Sequence, residues 1–203
     1  MSALDPLLQR PDLWRGDRGP VTARPGVQTG QPALDRLLAG GGWPRGAVTE
    51  VLADRLATGG LGLLLPALAA MAADGRWVTF VAPPFVPYPP ALATAGLDLG
   101  RLLSVRAPSQ GAKLWALEQV LRSGVCGAAL AWPEVPGAVA LRRLQLAAEA
   151  GDALAVLFLP SVAAAQPSPA ALRLGVEAVA DGWTLAVLKQ RGGWPAGPLR
   201  LRA

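Results

Sequence analysis

Between residues 47 and 159, short and almost uninterrupted apolar runs alternate with longer segments whose apolar residues recur every three or four positions. The first kind reads as strands at 47–52, 77–82, 102–105, 125–132 and 154–159, the second as helices at 62–73, 89–95, 112–123 and 138–150. Strands without apolar/polar alternation need cover on both faces. A strand–helix–strand succession supplies it by laying helices on either side of a parallel sheet. Pro83-Pro84 and Pro133 end two of these strands, because proline cannot donate to a ladder. Beyond residue 172 the pattern changes. Residues 172–180, 183–190 and 199–202 read as strands joined by turns at Asp181-Gly182 and Gly192-Gly193-Trp194-Pro195, which suits an antiparallel extension at one sheet edge. One α/β domain is therefore expected over 29–203, preceded by an arm over 1–28 rich in Pro, Arg and Gly. In that arm Leu4, Leu7, Leu8 and Trp14 form a candidate docking element for a partner or a second copy, with a free tail as the alternative.

Composition removes several classes of chemistry. The chain has one cysteine, Cys126, and no histidine, so a thiol–imidazole metal site, Cys–His catalysis and a Ser-His-Asp triad are all excluded, and no metal is expected. Mean hydropathy is positive at +0.34, yet no apolar run reaches the roughly 18 residues a spanning helix needs. The best stretch, 61–73, is short and contains Pro66. Asp5 and Pro6 break any signal-like pattern at the start, so a cytosolic protein with no membrane contact is expected. The formal net charge of +5 favours an anionic partner, either nucleic acid or an acidic protein surface. Arginine supplies nearly all of it, however, and with so much Ala, Gly and Pro the same charge fits the codon bias of a GC-rich genome.

The most specific stretch runs Thr29-Gly30-Gln31-Pro32-Ala33-Leu34-Asp35-Arg36-Leu37-Leu38, then Gly40-Gly41-Gly42-Trp43-Pro44-Arg45-Gly46 and Val48-Thr49-Glu50. It resembles the lead-in to the RecA recombinase core, in which a short helix with a Leu-Asp pair precedes a glycine-rich turn and the first strand. Asp35 is expected to hold the following loop by accepting backbone hydrogens, and the glycines to permit positive φ. In the RecA core the first strand runs into a phosphate-binding loop, whose chemistry needs glycine N–H groups around the phosphates, a Lys, and a Ser or Thr for Mg²⁺. Here the segment is Ala53-Asp54-Arg55-Leu56-Ala57-Thr58-Gly59-Gly60-Leu61-Gly62, which keeps glycines but lacks both the Lys and the hydroxyl after it. Arg55 comes too early, and Asp54 would repel a phosphate. After the second strand, Ala82-Pro83-Pro84-Phe85 holds no carboxylate to orient water. Where a strand should end in a Mg²⁺-linked Asp, Trp132-Pro133-Glu134 follows, with Glu134 beyond the proline. Together these losses imply a degenerate nucleotide loop at Ala53, Asp54, Arg55, Thr58, Gly59, Gly60 and Gly62, with no ATP cofactor and no catalysis. Trp132 is expected to fill the vacated crevice, since ligands of open α/β sheets bind at the strands' carboxyl ends.

Further stretches narrow the resemblance. Pro83-Pro84 with Pro87-Tyr88, Ala95-Gly96-Leu97-Asp98, Leu114-Trp115-Ala116-Leu117-Glu118-Gln119, Arg142-Arg143-Leu144-Gln145 and Leu188-Lys189-Gln190-Arg191-Gly192 are similar to ImuA, an accessory family of translesion DNA synthesis. The cell-division inhibitor family SulA is similar over a shorter stretch, without the lead-in and the last three strands. The ImuA resemblance implies a non-catalytic partner of ImuB and an error-prone C-family polymerase, with RecA and DNA as further contacts. The SulA resemblance implies binding of FtsZ. Arg142 and Arg143 are candidate contacts to a partner or to DNA phosphate, with a solvated basic helix face as the alternative. Lys189 and Arg191, alternating on one strand face, are candidates of the same kind, with an edge strand kept soluble by charge as the alternative. Trp115, on a helix with Leu114, Leu117, Val120 and Leu121, is expected in the core, with an interface ridge as the alternative.

Overall fold

The computed structural model describes residues 25–54 and 60–202. Eight strands form one sheet: β1 (Ala47–Leu52), β2 (Trp77–Val81), β3 (Leu102–Val105), β4 (Cys126–Ala131), β5 (Leu154–Leu159), β6 (Leu172–Val179), β7 (Gly182–Gln190) and β8 (Ala196–Arg202). Their order is β3-β2-β4-β5-β1-β6-β7-β8. All pairings from β3 across to β6 are parallel, and only β6–β7 and β7–β8 are antiparallel. The sequence pattern placed 172–180 in the antiparallel extension, but β6 joins β1 in parallel, Thr49 beside Leu172, and the direction reverses only after it. A crossover segment containing a 3₁₀ turn, Ser161–Ala165, makes this parallel return possible.

Helices α1 (Pro32–Leu37), α2 (Leu61–Ala73), α3 (Pro89–Thr94), α4 (Gln110–Arg122) and α5 (Ala138–Gly151) cover the sheet. α2 is almost wholly Ala and Leu, strong helix formers, and it buries Leu63, Leu64, Ala67, Leu68 and Met71. It packs with Leu34, Trp43 and Leu92 from the α1 and α3 side against Val51, Phe80, Leu130 and Phe158. The opposite face is covered by α4 and α5, whose Leu117, Leu121, Leu141 and Leu144 meet Val48, Leu52, Val81 and Leu157. Every residue of β1, β4 and β5 is buried, as two-sided cover requires. The parallel core with helices on both faces and an antiparallel margin is the α/β architecture that the alternation of apolar runs implies.

The lead-in itself is fastened at several points. Asp35 accepts the N–H of Thr29 at 2.8 Å, so it holds the residues before it and not, as expected, the loop after it. Gly30 sits at φ +80, and a Cβ there would lie 2.5 Å from the Pro66 ring of α2; only glycine lets this loop lie against the helix. Val27 pairs with Trp43 as an antiparallel bridge and packs on the core, so the last residues of the stretch read as an arm are tied to the domain.

Candidate functional site

The carboxyl ends of β1, β2, β4 and β5 meet where a nucleotide would sit in a sheet of this kind. Trp132, the first residue after β4, occupies that edge. Its ring stacks on Phe158 of β5 at 4.8 Å with 6° between planes, and Phe80 of β2 meets it edge-on at 6.0 Å. One indole thus spans the strands on either side of β4 and fills the space just beyond its carboxyl end. The following turn is pinned from α4. Gln110 donates to the Glu134 carbonyl at 2.9 Å and accepts its N–H at 3.0 Å, while Lys113 reaches the Trp132 carbonyl at 3.5 Å. The Glu134 side chain is exposed.

The loop after β1 departs from a phosphate cradle in each residue the structure describes; Arg55, Thr58 and Gly59 lie outside the described residues. Ala53 is buried, and its N–H is consumed by the Leu159 carbonyl at 3.0 Å. Asp54 accepts a short hydrogen bond from the Ser161 hydroxyl, which ties the loop to the crossover after β5. Gly60 has φ +97 and caps α2, and a Cβ there would press on Val51 at 3.2 Å. At Gly62 a Cβ would meet the Trp183 indole at 2.8 Å. Both glycines are closely packed, Gly60 in a backbone conformation that L side chains rarely adopt, and Leu61 packs on the core. Beside the loop, an open cleft of about 780 Å³ lies over β6 and β7. Asp54 and Glu177 are the charged side chains on its described lining.

Behind that cleft lies a buried polar hub that sequence reasoning missed. Glu50 of β1, 1% exposed, receives the Arg173 Nε of β6 at 2.6 Å and a short hydrogen bond from the Ser168 hydroxyl. The remaining nitrogens of Arg173 reach the carbonyls of Ala163, Ala164 and Gln166 at 2.6 to 3.3 Å, so one guanidinium clamps the whole crossover. The signal was a lone charge inside each of two apolar strands, since buried charges require partners.

Lys189 belongs to the rim of this hub. Its ammonium donates to the Ser168 carbonyl at 2.6 Å, and partial burial, followed by the neighbouring Arg173 charge, lowers its pKa. Arg191 lies past the end of β7 and faces Glu149 at 3.8 Å, so the two do not share a strand face as expected. Arg143 is also engaged: it and Arg122 both pair with the nearly buried Glu118, at 2.6 and 3.0 Å, bracing α5 against α4. Arg142 is exposed. Trp115 is 63% exposed, contrary to the expectation of burial, because α4 turns Leu117, Glu118 and Leu121 inward and leaves Trp115 on its outer side. Leu4, Leu7, Leu8 and Trp14 lie outside the described residues. Among the described residues no cluster of three or more His, Cys, Asp or Glu gathers as a metal site, and no helix is long and apolar enough to cross a membrane.

Comparison with known proteins adds ancestry to this geometry. No protein-family model matches the chain. Protein ImuA of Caulobacter vibrioides is 32% identical over 138 residues, covering 66% of this chain and 57% of that protein. Cell division inhibitor SulA of Edwardsiella piscicida is 32% identical over 113 residues, covering 53% of this chain and 66% of that protein. The chain is homologous to ImuA and SulA. A crystal structure of SulA from Pseudomonas aeruginosa aligns at 28% identity with a TM-score of 0.45, covering 55% of this chain and 97% of that one. The match spans somewhat more than half of ImuA's length and just under two thirds of SulA's, and it is longer in this chain for ImuA than for SulA.

Proposed function

We propose that this ImuA/SulA homologue is a non-catalytic, RecA-like accessory protein of the bacterial SOS response. It acts in the cytoplasm in error-prone translesion DNA synthesis and joins ImuB to an error-prone C-family polymerase, with RecA and DNA as further contacts. The carrying observation is the indole of Trp132 stacked on Phe158, at the edge where a nucleotide and its metal would need open space. Leu61 in the core and Gly62 against Trp183 support the same reading, since the loop's surviving glycines serve packing. A scaffold freed from hydrolysis keeps its surfaces for protein contact. ImuA is preferred to SulA because its match covers 66% of this chain against 53%.

The second reading is a SulA-like inhibitor that binds FtsZ, favoured by the SulA match. Affinity capture with the purified full chain separates the two. Retention of ImuB, with FtsZ passing through, is the expected result. Retention of FtsZ alone would overturn the translesion reading.

A further inference from the structure

The outer surface shared by α4 and α5 combines exposed apolar side chains with an excess of arginine. Trp115 is 63% exposed on α4, and Val139 and Leu146 on α5 are 78% and 54% exposed. The Glu118–Arg143 contact fixes how these residues lie across the two helices. Trp115 is three positions before Glu118, Val139 four before Arg143 and Leu146 three after it, so each stands one turn from the ion pair on the same side of its helix. Arg142 is three positions after Val139 and four before Leu146, which sets it in the same strip. A large aromatic on α4 and two aliphatic side chains on α5, all exposed, thus stand within a turn of the guanidiniums around the Glu118–Arg143 contact.

The charges do not cancel within the strip. Arg122 and Arg143, both more than half exposed, share a single carboxylate, Glu118, which is 7% exposed, and the exposed Arg142 adds a third guanidinium. Glu149, the next acidic group along α5, is turned to Gln145 and Arg191. Glu118 therefore acts as a hidden anchor that fixes two guanidiniums with their outer edges toward solvent, preorganised for an incoming anion. Like charge disfavours a second copy of this chain on the same strip. Val139 and Leu146 give little to phosphate or bases, but they are what an apolar side chain of a protein would cover.

We infer that the Trp115–Val139–Leu146 strip of α4 and α5 is a docking surface for an acidic, amphipathic segment of a partner protein. Trp115 is the anchor, and Arg122, Arg142 and Arg143 receive the segment's carboxylates. The inference deepens the accessory-protein reading and rests on it for the partner's identity, but the chemistry of the strip can be tested apart from it.

The probe is a labelled synthetic peptide helix with Glu on one face and Leu on the other, titrated against the full chain by fluorescence anisotropy. A single-stranded oligonucleotide of similar charge serves as the second ligand. The expected result is peptide binding that weakens with salt, weakens at least about tenfold in Trp115→Ala and in Leu146→Ala, and is kept in Trp115→Phe. Arg142→Glu weakens it as well. These side chains are exposed, so thermal melts of the variants should match the parent. No peptide binding, binding indifferent to Trp115 and Leu146, or preference for the oligonucleotide would overturn the inference. The same variants in the ImuB capture keep the two claims apart. ImuB retained equally by Trp115→Ala leaves the proposed function standing and removes the strip. Peptide bound at the strip with ImuB ignored does the reverse.

Discussion

The centre and the margin of the sheet are held by different physics. β1, β4 and β5 bury all of their residues between two helical layers, and almost every side chain involved is apolar. Across β6, β7 and β8 burial turns intermittent, and discrete polar side chains take over. Arg173 clamps the crossover, Lys189 caps Ser168, and Arg200 reaches Asp181. Gln190 bridges the N–H of Ala39, the carbonyl of Leu37 and the turn at Trp194. Many interchangeable contacts hold the centre, whereas a few specific bonds hold the margin. Single substitutions should therefore be felt most where the two regimes join, at the β1–β6 seam.

The largest effect is expected at that seam. Arg173→Ala leaves the Glu50 carboxylate buried without its partner and releases the crossover, for a loss of about 3–5 kcal/mol in urea denaturation. A loss below about 1 kcal/mol would show that the margin does not depend on this pin. Replacing both Glu50 and Arg173 with apolar residues of similar volume should recover much of that loss.

A smaller effect tests whether the glycines after β1 are packing residues. Gly62→Ala gains helix propensity but drives a methyl into Trp183, so a net loss of about 1–2 kcal/mol is expected. In a Trp183→Ala background the same change should become stabilising. If the two substitutions are simply additive, the packing explanation fails.

Gln190→Ala comes next, at about 1 kcal/mol, because its amide is only partly shielded and water can replace its three bonds. Hydrogen exchange at Ala39 should rise with it. The weakest is Asp181→Asn. The Arg200 hydrogen bond, reinforced by its charge, holds the Asp181 carboxyl below the ordinary value. The unfolded chain thus binds this proton more readily, so the contribution is present above pH about 3.9 and is lost as pH falls through the lowered folded value. The pair is exposed, so Asp181→Asn should leave the melting temperature near neutral pH almost unchanged and flatten only the acid limb.

The ends of the runs at 47–52, 102–105 and 154–159 coincide with β1, β3 and β5, because continuous apolar strands bounded by turns leave little freedom. What escaped detection was relational. Glu50 and Arg173 are 123 positions apart, and only the parallel return of β6 brings them together. Trp115 fell on the wrong side because helical period identifies a stripe without telling which flank of it the neighbouring helix covers. Asp35 turns back to Thr29 because that residue is fully buried and its N–H needs an acceptor.

Isothermal titration of the full chain with Mg-ATP tests most directly whether the carboxyl edge has lost its nucleotide site. With Trp132 seated on Phe158 and Leu61 packed on the core, no saturable heat is expected, and Trp132→Ala alone should not create any. Stoichiometric micromolar binding by the parent chain would contradict the account.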